Sequence, residues 1–416
     1  MNPASLEQAW EAGRILALPG PARRDQESLV AAIGPQGLAA LERRWGAGVV
    51  VGSGGSSGGR RWCLQPLAHL EGSAAATGRW LATCGLEPAA CLQLNPLPLH
   101  HVSGLLPLVR ARLWGGQHRQ LDPLQLQQPD RLAALPLPAD GPVLLSLVPT
   151  QLQRLIDQPA GLDWLQRLAL IWVGGAPLPP ALADRARRAG LRLAPCYGAT
   201  ETAAMVCALP PQRFLAGCAG YGPPLDDVAL RLDPVSAAVE ILTARLSPGW
   251  LQAGQLQPLA GGGGWWRSGD AGRITLGSLE LLGRLDGAIH SGGETVFPEQ
   301  LEQRLLARAR EVGLPLEALL LLPVDDGAWG QRLVALVRPT ASLPPQAPAA
   351  AQDLLERLAA LTTAWAAAER PRRWVLCPEL AASGLGKWQR GHWRAWLDEL
   401  KAGTSAPASR SDVDAL

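Results

Sequence analysis

Six segments hold residue types that bind phosphate, a base, a ribose or a divalent cation. The first is Gly52-Ser-Gly-Gly-Ser-Ser-Gly-Gly-Arg-Arg61. Backbone N–H groups outside regular pairing can turn toward a phosphate, and serine hydroxyls add donors. The loop lacks the Gly-Lys-Ser/Thr ending of a Walker sequence, and Ser57 stands where G-x-G-x-x-G needs its last glycine. A phosphate cradle and a flexible connector both stay open. The second segment, Pro98-Leu-His-His-Val-Ser-Gly104, has no carboxylate or cysteine at ligand spacing, so its histidines read as a pocket wall. The third, Cys196-Tyr-Gly-Ala-Thr-Glu201, offers a ring for stacking, a hydroxyl for phosphate and a carboxylate for Mg²⁺, or else a loop with a capping threonine. The fourth, Trp266-Arg-Ser-Gly-Asp270, sets a carboxylate after a glycine, fit for a ribose diol or an ordinary turn. The fifth runs from Ser291-Gly-Gly-Glu to Pro298-Glu-Gln-Leu-Glu302. The sixth, Ser383-Gly-Leu-Gly-Lys-Trp-Gln-Arg390, carries Lys387, one of only two lysines in the chain.

The elements around these segments alternate. Residues 5–17 have helical apolar spacing, and 48–51 read as a strand entering the glycine-rich loop. Residues 143–148, 168–173 and 191–194 read as strands, with helices at 150–157 and 179–188 between them. Such alternation predicts βαβ units and a parallel sheet. Ligands in such sheets sit beyond the carboxyl ends of the strands, where the glycine-rich loop, Gly174-Gly175 and Tyr197–Glu201 are expected. Residues 273–282 read as a hairpin about Gly277-Ser278. A helix follows Pro298. Strands are expected at 319–324, 332–337 and 373–376, with a surface loop at 339–348 and a helix over 350–368.

Composition narrows the class. The 416 residues are 47% hydrophobic and 18% charged, which excludes a wholly disordered chain. A formal charge of +2 argues against a general nucleic-acid binder. No apolar run is long enough for a transmembrane segment, and the start lacks the basic region of a secretory signal. The seven cysteines are scattered without a CxxC pair, which points to neither a zinc site nor a disulfide framework and favours a reducing, cytoplasmic setting.

The order of the six segments resembles that of the acyl-adenylate-forming superfamily of acyl-CoA ligases, luciferases and peptide-synthetase adenylation domains. The resemblance runs from the glycine-rich loop to Arg390. Gly55–Arg61 resembles the phosphate loop, with Ser57 for the usual threonine and Arg61 for the usual lysine. Gly174-Gly175-Ala176 resembles the adenine-binding turn, Tyr197–Glu201 matches YGxTE, and Ser268–Asp270 resembles T-G-D. Gly283–Asp286 matches the GRxD hinge, Ser291–Glu302 matches SGGExVxPxExE, and Lys387 matches the lysine of the C-terminal G-K motif. Ser146–Leu155, Pro98–Gly104 and Pro378–Lys387 are further similar to the 2-succinylbenzoate–CoA ligases of menaquinone and phylloquinone synthesis.

The resemblance implies an α/β fold. A large AMP-binding domain at 1–285 would precede a smaller mobile α+β domain at 286–401 and a disordered tail at 402–416. It implies ATP, Mg²⁺ and coenzyme A, and a small carboxylic acid substrate adenylated and then transferred to the thiol. Lys387, Thr200, Glu201 and His101 are the expected catalytic residues, with Glu201 also holding the metal. Ser56, Ser57, Gly58, Arg61, Gly174, Gly175, Ala176, Tyr197, Gly198, Asp270, Arg284, Gly292 and Gly293 are expected to bind nucleotide or coenzyme A. Ser103, Ser146 and Gln151 are the candidate acid contacts, and Asp286 is the hinge. A ligase for another aromatic or aliphatic acid and a silent nucleotide-binding paralogue are the alternatives. No nucleic-acid partner is expected, and a homo-oligomer stays open.

Overall fold

The computed structural model describes residues 2–35, 37–53, 60–138, 141–340, 348–381 and 388–402. The expectations placed on Ser56, Ser57, Gly58, Lys387 and the tail beyond residue 402 lie outside these residues. The chain forms two compact units, Met1–Leu281 and Leu282–Leu416. Gly283–Asp286, the expected hinge, therefore falls in the second. Among the described residues no helix is long and apolar enough to cross a membrane.

The first unit has a six-stranded sheet in the order Gln117–Gln120, Leu92–Asn95, Val143–Leu147, Leu170–Val173, Leu193–Ala199, Ala204–Ala208. The first five strands are parallel, as the alternation predicts, and the sixth is antiparallel. Helices Pro149–Ile156, Pro159–Gln166 and Pro180–Arg188 each start on a proline, which fits a first helical position that has no N–H partner to lose. Side chains alternate across the sheet: Leu145, Leu147 and Val173 enter one core, Leu144, Leu170 and Trp172 the other. Each fully buried aliphatic side chain contributes roughly 1.5–3 kcal/mol, so both faces are firmly fixed.

Two further sheets complete this unit. One runs Ile15–Leu18, Gly48–Ser53, Arg61–Pro66, Trp250–Gln252, Gln255–Gln257. The strands on either side of the glycine-rich segment are antiparallel neighbours, with Ser53 opposite Arg61, and neither belongs to the parallel sheet. The expected helix over 5–17 is shorter, Pro3–Glu11. Gly13 takes φ +71°, and Ile15–Leu18 then pairs in parallel with Gly48–Val51. The other sheet is Val228–Leu232, Ala238–Thr243, Trp266–Thr275, Ser278–Arg284, the last strand running on past Leu281 into the first residues of the second unit. Its hairpin turns on Leu276 and Gly277, one residue earlier than expected. Both have positive φ (50° and 74°), as the tight primed turn needs.

The second unit is built on the antiparallel pair Leu316–Asp326 and Gly330–Pro339, with Pro371–Leu376 added in parallel. Helices Pro298–Glu311, Pro348–Ala360 and Arg390–Ala402 accompany it. The helix expected over 350–368 stops at Ala360. There the Thr362 and Thr363 hydroxyls donate to the Ala359 and Ala360 carbonyls and compete with helix continuation.

Candidate active site

The strand Leu193–Ala199 carries Tyr197 and Gly198 into the site as paired backbone, not as a loop. It extends past the expected end because Ala204–Ala208 folds back alongside it. Gly198 is required there by packing: a Cβ would collide with the Ala204 carbonyl. The next residues form one tight turn, Thr200–Thr202, followed by Ala203 and Ala204 at φ 52° and 76°. Such left-handed backbone costs roughly 1–2 kcal/mol per alanine. Arg245, 2% exposed, braces it by donating to the Thr202 and Met205 carbonyls and by pairing with Asp227 at 2.6 Å.

Tyr197 is buried, and its hydroxyl donates to Asp270 Oδ2 at 2.7 Å and lies 3.3 Å from Ser268 Oγ. Asp270 and Ser268 project from the strand Trp266–Thr275 rather than from a turn. Burial, and then the Asp270 charge, push the Tyr197 hydroxyl well above its usual range, so it stays protonated and a donor. Tyr221 packs beside Tyr197 with ring centroids 6.0 Å apart.

Glu201 is buried on the same turn. Its Oε1 accepts the Trp250 indole N–H at 3.1 Å, and its backbone carbonyl accepts Ser247 N–H at 2.8 Å. Gln65 Nε2 donates to the Thr200 carbonyl at 2.5 Å. Arg61, exposed at the start of its strand, lies with its guanidinium 4.6 Å from the Trp250 ring centroid. The adjacent Arg60 instead pairs with Asp25 at 3.3 Å. Thr200, Glu201, Arg61, Tyr197 and Asp270 are thus all held by sheets of the first unit. Gly174 and Gly175 close the strand Leu170–Val173. Gly175 has φ +78°, and a Cβ on Gly174 would stand 2.9 Å from Cys196 Sγ. Ala176 follows, half-buried.

The acid-contact candidates are less uniform. Gln151 Oε1 accepts the Val148 N–H at 3.0 Å, so this amide is partly used in starting its own helix. Ser146, half-buried, lies across from Trp172 in the sheet. Ser103 is exposed on the first turn of Val102–Trp114, where His101 is the helix cap, its ring centroid 4.5 Å from that of His100. Burial and the Arg60 charge lower the His100 pKa. Further along that helix the fully buried Arg110 stacks on Trp172 at 4.4 Å, and burial draws its pKa down to about 10.

In the second unit Arg284 pairs with Asp286 at 3.2 Å. Gly292 has φ +57° and donates its N–H to the Trp329 carbonyl at 2.9 Å. A Cβ there would press on the Trp329 ring, while Gly293 is open. Sequence reasoning missed Trp250, Arg245, Gln65 and Ser247. None lies in a recognisable motif, and each reaches the site from a strand or loop distant in sequence.

A family model of AMP-binding enzymes matches residues 69–236. The wild-type Escherichia coli MenE structure, bound to an m-phenylether-linked analogue of OSB-AMS, superposes with a TM-score of 0.62 at 28% identity over 84% of this chain and 69% of that one. The fold is that of the acyl-adenylate-forming, AMP-binding enzymes. Among curated proteins, the 2-succinylbenzoate–CoA ligase of Salmonella typhimurium is 35% identical over 245 residues, covering 59% of this chain and 48% of that protein. The probable 2-succinylbenzoate–CoA ligase of Mycobacterium tuberculosis is 28% identical over 351 residues, 82% of each. The chain spans about half the length of the first curated relatives it matches.

Among the described residues no group of three or more histidine, cysteine or acidic side chains could hold a metal. A nucleotide-bound Mg²⁺ needs no such cage, because it takes one or two carboxylates, substrate phosphates and waters. The single buried carboxylate of Glu201, with one oxygen already oriented by an N–H, fits that requirement.

Proposed function

We propose that this protein is an ATP-dependent acid–CoA ligase, acting on 2-succinylbenzoate in menaquinone or phylloquinone synthesis in the cytoplasm. The observation that carries the reading is that Tyr197 and Glu201, four positions apart, reach two other sheets of the first unit, Tyr197 through Asp270 and Glu201 through Trp250. These contacts support a nucleotide site around Tyr197, Thr200, Glu201 and Asp270. The named relatives supply the choice of acid.

In the first half-reaction a substrate carboxylate oxygen attacks the α-phosphorus of ATP, and pyrophosphate leaves. In the second the coenzyme A thiolate attacks the acyl carbon, and AMP leaves. Charge builds on phosphoryl oxygens in the first step, so fixed cations and donors lower its barrier. Arg61 and the loop before it would meet the β- and γ-phosphates, and Thr200 would bond a phosphate oxygen. Lys387 would bridge the carboxylate and the α-phosphate. Mg²⁺ at Glu201 would neutralise charge on the triphosphate. Tyr197 and the Gly174-Gly175-Ala176 turn would flank adenine, and Asp270 with Arg284 would hold the ribose. The acid would lie near Ser103, Ser146 and His101. Rotation of the smaller unit about Asp286 would then bring Gly292-Gly293 to coenzyme A and exclude water from the anhydride.

The deciding experiment is acid-dependent ATP–pyrophosphate exchange with 2-succinylbenzoate, benzoate, a cinnamate and a fatty acid. Selective exchange with 2-succinylbenzoate is expected. Exchange with another acid alone keeps the ligase and discards the substrate. A folded protein that binds ATP and exchanges with no acid overturns the reading.

A further inference from the structure

Arg61 and Glu201 lie far apart in sequence, yet one side chain touches both. Trp250 stands on the strand beside Arg61–Pro66, in register with Cys63. Its N–H edge serves the Glu201 carboxylate at 3.1 Å, and its ring face serves the Arg61 guanidinium at 4.6 Å. These are different parts of the indole, one a donor and the other a negative π face, so both contacts hold at once.

The local backbone is fixed without the indole. Ser247 Oγ donates to the Leu64 carbonyl at 2.6 Å, Ser247 N–H to the Glu201 carbonyl at 2.8 Å, and Gln65 to the Thr200 carbonyl. What the indole adds is the direction of two charged ends. We propose that Trp250 is a positioning residue that sets the Glu201 carboxylate for a divalent cation and holds Arg61 ready for the triphosphate. The inference rests on the adenylating role given above. It also accounts for arginine at a position where the resembling loop uses lysine. A planar guanidinium lies flat on an indole and keeps its N–H fork free at the rim, whereas an ammonium has no such plane.

Two substitutions separate the two contacts. Trp250→Phe keeps a ring face and removes the N–H. Trp250→Leu removes both. ATP binding is measured by calorimetry across a Mg²⁺ titration and again in EDTA. Loss of a group that orients a metal ligand typically weakens the metal tenfold or more, so Trp250→Phe should raise the half-saturating Mg²⁺ about tenfold. Its affinity for ATP in EDTA should stay within roughly twofold, as for independent contacts. Trp250→Leu should also weaken ATP in EDTA, and Arg61→Lys should then cost nothing further. In exchange assays the KM for Mg·ATP should rise while the KM for the acid holds, a split that a merely structural role does not produce. An unchanged Mg²⁺ requirement in folded Trp250→Phe, beside a wild type that binds Mg·ATP, overturns this inference alone. A wild type that binds no ATP overturns it together with the adenylating role.

Discussion

Replacing Tyr197 by phenylalanine deletes one oxygen from the middle of the proposed nucleotide site. That oxygen donates to Asp270 Oδ2 at 2.7 Å, and the acceptor is a carboxylate. A hydrogen bond to a charged group contributes about 1.5–3 kcal/mol, which is roughly 10- to 150-fold in a binding constant. Part of the loss falls on the free protein, because Asp270 is only half-buried and water can replace the hydroxyl. The expected weakening of AMP and ATP is therefore at the low end, about tenfold. If Asp270 is aimed at the ribose diol, a 2′,3′-dideoxy nucleotide should show almost none of this penalty. Calorimetric titration of both nucleotides against wild type and Tyr197→Phe gives the coupling directly. Equal penalties for the two nucleotides would refute the route through Asp270. No penalty for either would mean that the Tyr197 bond does not orient the carboxylate at all.

Three further outcomes are expected. Lys387→Ala should keep ATP binding and lose pyrophosphate exchange by about a hundredfold or more, the size of loss seen when one donor to a transition-state oxyanion is removed; unimpaired exchange refutes its role. Gly198→Ala should destabilise the first unit by about 1–3 kcal/mol, since its Cβ meets the Ala204 carbonyl; an unshifted denaturation midpoint would show that the two strands can part. Glu302, paired with Arg390 at 2.9 Å and accepting Leu321 N–H at 2.8 Å, is raised by burial from 4.5 to about 7 against the opposing pull of Arg390. A folded value above the unfolded one means that its contribution is complete below about pH 4.5 and is lost as pH rises through 7, on the order of 3 kcal/mol at most. Glu302→Gln should flatten that part of the stability curve of the second unit in denaturant titrations from pH 5 to 8, and an unchanged slope would assign it to other groups.

The motifs were legible as residue types in order, and so was the parallel sheet behind them. Their bonding was not. Tyr197 and Asp270 are 73 positions apart, and only the arrangement of strands brings the hydroxyl to the carboxylate. Gly198 reads as a breaker in sequence, yet the antiparallel return of Ala204–Ala208 makes it strand and makes glycine obligatory. Ala17 continues the helical spacing of Leu6, Trp10 and Gly13 but lies in the strand Ile15–Leu18, and the left-handed Gly13 decides between the two. Trp250 is one of sixteen tryptophans with no motif about it, so composition carried no signal of its place.

How each charge is held separates structural charges from those available to a ligand. Arg60 and Arg245 face Asp25 and Asp227, and Arg245 also donates to two backbone carbonyls. Their charge is spent inside the fold. Arg61 lies on a neutral ring, and Glu201 accepts from a neutral N–H. A neutral partner fixes the direction of a charged group without cancelling its charge, so the field stays directed at what binds. The Tyr197 hydroxyl gives Asp270 a partner of the same kind. Replacing one of these neutral partners by a charged group should remove the field even where the backbone around it holds. A Trp250→Lys variant would then be a sharper probe than Trp250→Leu. It should repel Arg61 and neutralise Glu201 at once, and lose Mg²⁺-dependent ATP binding even where the fold is intact.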